Sequence, residues 1–377
     1  MTSRSDLSRM VPLDGAVPAK SFVLEVHTDD PHAYLAEIAG RGNVEDTDDA
    51  FLSRVFAPPA GEFWVDRLEP RFWVFHTIGS STAAAAWLKD RVESRRDTDW
   101  MWLPSNHLRY IAPDALPRRV RTEFDGERLV SSDDAARDLK VQLSGSHAER
   151  LLDRIAALPE YKSAVSFNSI EVDIDDPDLG QMRESVRRWG AFAAHGEHFT
   201  HHAQFVQLVI GRYARLIETI EALALRFEPL AEMNAGTLAA DSISGTAAIM
   251  GGPGDDDLGG ASFAGMPIGI RFSRPIPDLP AFCEELFSSR APFRLWGQPF
   301  VTEDGASVEA VDLHVGQRLS MELGYDWMRV YLHVGSCGNT VARLISNLQT
   351  RFDGALSLTH PGLQDAAGLK PSDALTH

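Results

Sequence analysis

At 377 residues, with 44% hydrophobic and 24% charged residues, the chain exceeds one typical core and is too apolar for global disorder. A formal charge of −18 excludes a general affinity for nucleic acid, because a phosphate backbone needs a positive field; it leaves room for a local arginine patch. No apolar run reaches the roughly 18 residues that a membrane span requires, and residues 1–19 lack the apolar core of a signal peptide.

The chain opens with a polar, flexible N-terminus over 1–19, and a first unit is expected at 20–111. Phe22, Leu24 and Val26 alternate as in a half-buried strand. Asp30 then caps a helix, with Pro31 at its first position, Leu35 and Ile38 on its apolar side and Gly40 at its end. Strand-like stretches at 62–68 and 71–78 follow, the second running into Ile78-Gly79, and a helix is expected at 83–92. Residues 112–137, with Pro113, Pro117 and a charged stretch, read as a linker.

A second unit is expected at 138–234. Leu139, Val141 and Leu143 alternate, and Ser146 with Glu149 has the form of a capping box before Leu151, Leu152, Ile155 and Leu158. Ile170, Val172 and Ile174 alternate with acidic residues, which predicts another strand. An insertion at 178–194 reads as an additional helix, because Met182, Val186 and Trp189 recur at helical spacing. A strand at 204–211, ending at Ile210-Gly211, and a helix at 214–227 close the unit. The Gly/Asp-rich stretch 235–264 is expected to be a flexible linker.

The third unit, 265–353, repeats the pattern. Ile268, Ile270 and Phe272 alternate, and Asp278 caps a helix carrying Phe282, Cys283 and Leu286. Strands at 308–315 and 318–323 flank Gly316-Gln317, a two-residue hairpin signal. A strand into Val334-Gly335 precedes a helix whose Val341, Leu344, Ile345, Leu348 and Phe352 form one stripe. Residues 354–377 read as a flexible C-terminus.

The expected fold is therefore α+β, with three tandem repeats of strand, helix, two or three antiparallel strands, helix, and with the helices on one face of antiparallel sheets. In topology this resembles TATA-binding-protein-like and other ferredoxin-like domains. None of the sequence motifs of those families is present, so the resemblance implies a layout and no function.

Four candidates for chemistry stand out. His195, His198 and His202, in a stretch that also holds Glu197 and His201, have ligand types suited to zinc, and on a helix they would share a face. On a strand, His198 and His202 would lie about 13 Å apart, too far to share an ion. The plain reading is a polar loop or strand edge. Cys337, in Val334-Gly335-Ser336-Cys337-Gly338, places a thiol near a helix start, with His333 as a conceivable base; a small residue in a tight turn is the plain reading. Arg183, Arg187 and Arg188 beside Trp189 form a compact basic group that could touch a phosphate or an acidic partner, or be a solvated helix face. Asp255, Asp256 and Asp257 lack both a phosphate-loop pattern and the alternate-position pattern of a calcium loop.

Repetition without a converging catalytic set favours a non-catalytic recognition or assembly protein that presents tandem sheet faces. Its expected partner is a protein, with localised nucleic-acid contact as the lesser expectation, and no membrane. No cofactor is expected beyond zinc at the histidines. The alternatives are a metal-dependent hydrolase using the 195–202 cluster and a thiol enzyme using Cys337. Only two cysteines, Cys283 and Cys337, and an arginine-rich, lysine-poor composition fit a reducing cytoplasm of bacterial style.

Overall fold

The first apolar alternation forms a strand buried on both faces. β1 (Ala19–Val26) sends Phe22, Leu24 and Val26 into one core and Val23 into another. The computed structural model describes Leu7 and residues 18–40, 43–112, 115–196, 198–224 and 266–366; the linker expected at 235–264 lies outside these.

α1 (Pro31–Ala39) starts where its cap predicts. The Asp30 carboxylate accepts from the Ala33 N–H, Pro31 opens the helix, and Gly40 follows at φ 85°. Then come β2 (Val44–Asp46), β3 (Leu52–Ala57), β4 (Gly61–Asp66), β5 (Phe72–Thr77), α2 (Ser81–Ser94), β6 (Thr98–Trp100), α3 (Ser105–Arg109) and β7 (Leu116–Glu123). The middle of the chain holds β8 (Lys140–Ser144), α4 (Ala148–Ala156), β9 (Ser169–Asp176), β10 (Gly180–Arg187), β11 (Ala191–Gly196) and α5 (Phe199–Ala224). The last part holds β12 (Ile268–Arg271), α6 (Leu279–Leu286), β13 (Leu295–Gly297), β14 (Phe300–Val301), β15 (Ala306–Asp312), β16 (Arg318–Leu323), β17 (Trp327–Leu332), α7 (Asn339–Arg351), β18 (Ser357–Leu358) and α8 (Pro361–Ala366).

These elements form a mixed α+β structure with two antiparallel sheets. The first has eleven strands in the order β2-β3-β4-β5-β1-β11-β10-β9-β7-β8, with β6 also against β1; the second has seven, β13-β15-β16-β17-β12-β18, with β14 against β15. In both, an opening strand lies antiparallel to the strand before the closing helix, β1 to β5 and β12 to β17. The middle segment differs. β11 pairs with β1, and β8 sits at the far edge beside β7. Two sequence segments thereby share one sheet.

Several elements depart from expectation. The segment 178–194 is the β10–β11 hairpin and not a helix: Met182, Glu184 and Val186 point inward at the strand period, while Arg183 and Arg187 point outward. Residues 204–211 are helical, inside the 26-residue α5, whose buried Phe205, Val206, Val209, Ile210 and Tyr213 continue one face into Leu216 and Ile217. Gly211 does not break this helix, which tolerates a glycine at about 1 kcal/mol. The expected linker at 112–137 contains β7, paired on both sides. Ser146 does not cap α4; His147 stands at that position without a side-chain cap bond. The 316–317 turn is a longer loop, since β15 ends at Asp312. In the expected flexible C-terminus, β18 pairs with β12 and α8 follows.

The helices are not confined to one face. α1 and α2 cover one side of β1–β5, with Leu35, Ile38, Trp87 and Leu88 packed on Phe22, Leu24, Phe63 and Trp73. The other side joins a larger core that includes α5, α7 and the second sheet. α7 is buried from Asn339 to Thr350, its polar face included. Those polar groups are all partnered: Gln349 Oε1 accepts from the Ser105 N–H at 2.8 Å, Asn347 Oδ1 accepts from Arg188 at 2.9 Å, and Arg343 donates to the Phe293 carbonyl at 2.9 Å and to both Asp99 and Asp312. The helix thus ties the two sheets together through hydrogen bonds as well as apolar contact. Among the described residues, no helix is long and apolar enough to cross a membrane.

Candidate metal centre

The seam between the two sheets gathers four donor side chains from distant parts of the chain. Glu25 lies near the end of β1 and His27 just beyond it, His314 is in the loop after β15, and Cys337 precedes α7. One ligand atom from each lies within 4.8 Å of all the others, the one such group among the described residues. Glu25 Oε2 is 3.2 Å from His314 Nε2, and Oε1 is 3.5 Å from His27 Nε2. Cys337 Sγ is 3.5 Å from each Glu25 oxygen and 3.6 Å from His27 Nε2. A tetrahedral cation with ligand distances of about 2.0–2.3 Å separates its ligands by about 3.3–3.8 Å. Glu25 stands at about such spacings from the other three donors, through Oε1 to His27 and Oε2 to His314, and Cys337 does so from His27.

Local structure fixes each donor. Glu25 is fully buried because β1 runs between β5 and β6, opposite Phe72 and Asp99. The His27 N–H donates to the Asp97 carbonyl at 2.9 Å, which stops the chain from drifting after the strand. The His314 N–H donates to Asp312 Oδ1 at 3.0 Å, and Asp312 is itself gripped by Arg343 and Thr340. The turn into α7 depends on two glycines. Gly335 has φ 82°, and a Cβ on Gly338 would come within 2.8 Å of the Ile217 carbonyl of α5. The Cys337 N–H donates to Gln317 Oε1 at 2.7 Å, and the Gly338 N–H donates to Glu221 Oε1 at 2.8 Å.

A second layer surrounds the donors. Arg71 donates to Glu25 Oε1 at 2.5 Å and forks onto both Glu221 oxygens at 2.7 and 3.1 Å, with Cys337 Sγ 3.4 Å away. Burial alone would raise the pKa of Glu25. Hydrogen bonds from His27 and His314 and the charge of Arg71 outweigh it and hold the carboxyl well below its usual range. Burial, followed by the Glu25 charge, pushes the Cys337 thiol well above its ordinary value. Without a cation this is a protonated thiol and a weak nucleophile. His314 Nδ1 is buried without a hydrogen-bond partner, leaving its Nε2 to face the other donors.

The centre opens on one side. His27, Arg71, Gln317, Ser336 and Cys337 line a pocket of about 680 Å³ that Arg96, Asp97 and Glu221 also border. A soft thiolate, two imidazoles and a carboxylate suit zinc or a neighbouring first-row cation better than calcium or magnesium, which favour oxygen-only sets.

The histidines singled out from sequence have other places. His195 is exposed on β11 opposite Arg183, and His198 is exposed just before α5. His202 is buried, with Nδ1 2.8 Å from Glu184 Oε2 and Nε2 2.6 Å from Ser21 Oγ; the same hydroxyl lies 2.6 Å from His76 Nδ1. This chain of contacts links α5 to β1, β5 and β10. The three histidines do not form a ligand group of the kind found at Glu25, His27, His314 and Cys337. The arginines separate too. Arg183 faces outward and pairs with Asp173 at 3.0 Å, Arg187 lies 6.0 Å over the Trp189 ring, and Arg188 is half-buried against α7. Burial pulls the Arg188 guanidinium down to about 10. Cys337 stands at a helix start as the sequence predicts, but the imidazole beside it is His27 and not His333. Asp255, Asp256 and Asp257 lie outside the described residues.

A family model described as MJECL33-like protein matches residues 15–366, a span that contains all four donors. The uncharacterized protein MJECL33 of Methanocaldococcus jannaschii is 26% identical over 378 aligned positions, covering 89% of this chain and 84% of that protein. The chain belongs to the MJECL33-like protein family.

Proposed function

We propose that this protein is a metal-dependent hydrolase whose zinc-class cation is held by Glu25, His27, His314 and Cys337 at the foot of the 680 Å³ pocket. One observation carries the reading: four donors from opposite ends of the chain converge until one ligand atom of each lies within 4.8 Å of the others. His27 and Cys337 line the pocket while Glu25 and His314 are fully buried behind them, so the cation's accessible side faces the pocket. A cation there would polarise a carbonyl or phosphoryl oxygen and acidify a bound water towards neutral pH. Arg71 competes for Glu25 Oε1, so Glu25 is the ligand best placed to give up its position to such a water. A reduced thiolate ligand suits the cytoplasm. Elemental analysis of purified protein should find close to one zinc, or one neighbouring divalent cation, per chain. Metal-free protein that gains no zinc on reconstitution would refute the centre.

A second reading is recognition of a protein partner through sheet surface. It draws on the outward face of β7, β9 and β10, where Arg118 and Arg183 meet Asp173 and Arg119 meets Glu171. With these charges paired among themselves, Arg187 is the group most available to an acidic partner or to a local nucleic-acid contact. The units at 20–111, 138–234 and 265–353 would then be copies of one repeat offering successive faces. Reversing Arg187 to glutamate should abolish partner capture and shift stability by no more than about 0.5 kcal/mol, as exposed substitutions generally do. Undiminished capture by that variant removes this surface from consideration.

A further inference from the structure

Both oxygens of Glu25 stand within reach of a cation at the centre. Oε1 is 3.5 Å from His27 Nε2, Oε2 is 3.2 Å from His314 Nε2, and Cys337 Sγ is 3.5 Å from each of them. The other three donors therefore leave open whether the carboxylate binds through one oxygen or chelates through two. Arg71 removes that freedom. Its Nε donates to Oε1 at 2.5 Å, and Oε2 is left facing the His314 ring. The guanidinium is itself fixed. The Arg71 carbonyl accepts from the Val26 N–H at 2.8 Å, which pins the residue near Glu25 where β5 begins. Its two terminal nitrogens fork onto Glu221 of α5 at 2.7 and 3.1 Å, and Glu221 Oε1 also accepts from the Gly338 N–H at 2.8 Å.

Charge points the same way. Glu25 and a Cys337 thiolate together neutralise a divalent cation, and Glu221 neutralises Arg71, so the arginine gives the centre direction and no net charge. Resting on the metal-centre reading, we infer that Arg71 is a positioning residue: it occupies Glu25 Oε1, so that Glu25 ligates the cation through Oε2 alone. The centre then has four ligand atoms. A chelating carboxylate would supply a fifth and fill the position that a water or substrate entering from the pocket needs. Arg71 lines that pocket while Glu25 is fully buried, so an entering molecule meets the residue that fixes the carboxylate and not the carboxylate itself.

The test loads the full chain with cobalt(II) and compares wild type with Arg71→Ala and Arg71→Lys. Two features of the spectrum separate the questions. Thiolate-to-cobalt charge-transfer bands report Cys337 as a ligand, and the visible ligand-field bands report coordination number, being strong at four ligands and weak at five or six. Wild type should show both sets strongly. Arg71→Ala should keep the charge-transfer bands while its ligand-field intensity per bound cobalt falls severalfold, as Oε1 swings onto the metal. Arg71→Lys should change in the same direction to a smaller extent, because an ammonium cannot hold Oε1 and fork onto Glu221 together; it decides the matter if Arg71→Ala does not fold. A substitution that merely loosened the fold would lower the melting temperature and leave the coordination number of the loaded centre unchanged. Equal ligand-field intensity in wild type and the folded variants, or weak bands in wild type, overturns the inference while leaving the centre intact. A wild type without thiolate–cobalt bands refutes the centre, and the inference falls with it.

Discussion

Replacing Arg343 with alanine should lower stability by about 3–5 kcal/mol, a large part of the roughly 5–15 kcal/mol that holds a typical domain folded. The Arg343 side chain is fully buried in α7 and donates to Asp99 of the first sheet, to Asp312 of the second and to the Phe293 carbonyl. Its removal would strand two carboxylates whose side chains are each about 1% exposed. Asp99 would keep the Trp102 indole at 3.0 Å and Arg294 at 3.7 Å, and Asp312 would keep Thr340, so neutralisation would be incomplete. Arg343→Lys should recover only part of the loss, because an ammonium cannot fork to two carboxylates on separate sheets. The pH dependence has a definite sign. Burial would raise the pKa of Asp99, but the charge of Arg343, helped by His314 and Arg294, leaves it lowered. A depressed folded pKa gives stability that is complete above the unfolded value near 4 and is lost as pH falls through the lower folded value. Denaturant midpoints for wild type and variants across that range check both statements. A stable Arg343→Ala protein would show that the triad does not hold the sheets together.

The second large effect is stabilisation by the cation. A metal that binds the native state alone stabilises it by about 2.7 kcal/mol when its free concentration is a hundred times the dissociation constant. Chelator-treated protein should therefore melt lower than the metal-bound form and recover on addition of zinc. Cys337→Ser and His314→Ala should melt near the metal-free wild type and respond little to zinc, since each removes a donor from a site that spans both sheets. A wild type whose melting temperature ignores chelator and zinc alike would contradict a native metal site. A Cys337→Ser protein that responded as fully as wild type would show that the thiol is not a ligand.

Much of the local structure was legible in the chain. Asp30 and Asp278 cap the helices their spacing predicts, and the stripe from Val341 to Phe352 is buried in α7. The middle segment departs from its sequence pattern for a physical reason. Glu184 occupies an inward strand position, where a carboxylate breaks the apolar alternation of Met182 and Val186 and leaves a spacing that a helix fits equally well. The carboxylate is tolerated because His202 reaches it from α5, a partner that lies 18 residues away. Likewise Val206, Val209 and Ile210 lie on one face of a long helix, and so short a stretch carries no period that separates helix from strand.

The centre was harder to see. Cys337 has a sequence signal in its place at a helix start, but its companions carry none. Glu25 and His314 are 289 residues apart, and each reads as an isolated polar residue at the end of an apolar strand. A buried carboxylate at an inward position of a strand is the nearest thing to a warning, since such a group must find cationic or metal partners. The histidine-rich stretch had the opposite property. Its dense composition suggested metal, yet secondary structure directs His195, His198 and His202 to different environments.

X-ray absorption at the zinc edge of the metal-loaded protein tests the central claim most directly. Four ligands from Glu25, His27, His314 and Cys337 predict one sulfur near 2.3 Å with nitrogen and oxygen neighbours at about 2.0–2.2 Å, and the sulfur shell should vanish in Cys337→Ser. A zinc surrounded only by nitrogen and oxygen in the wild type would place the ion elsewhere and contradict the account.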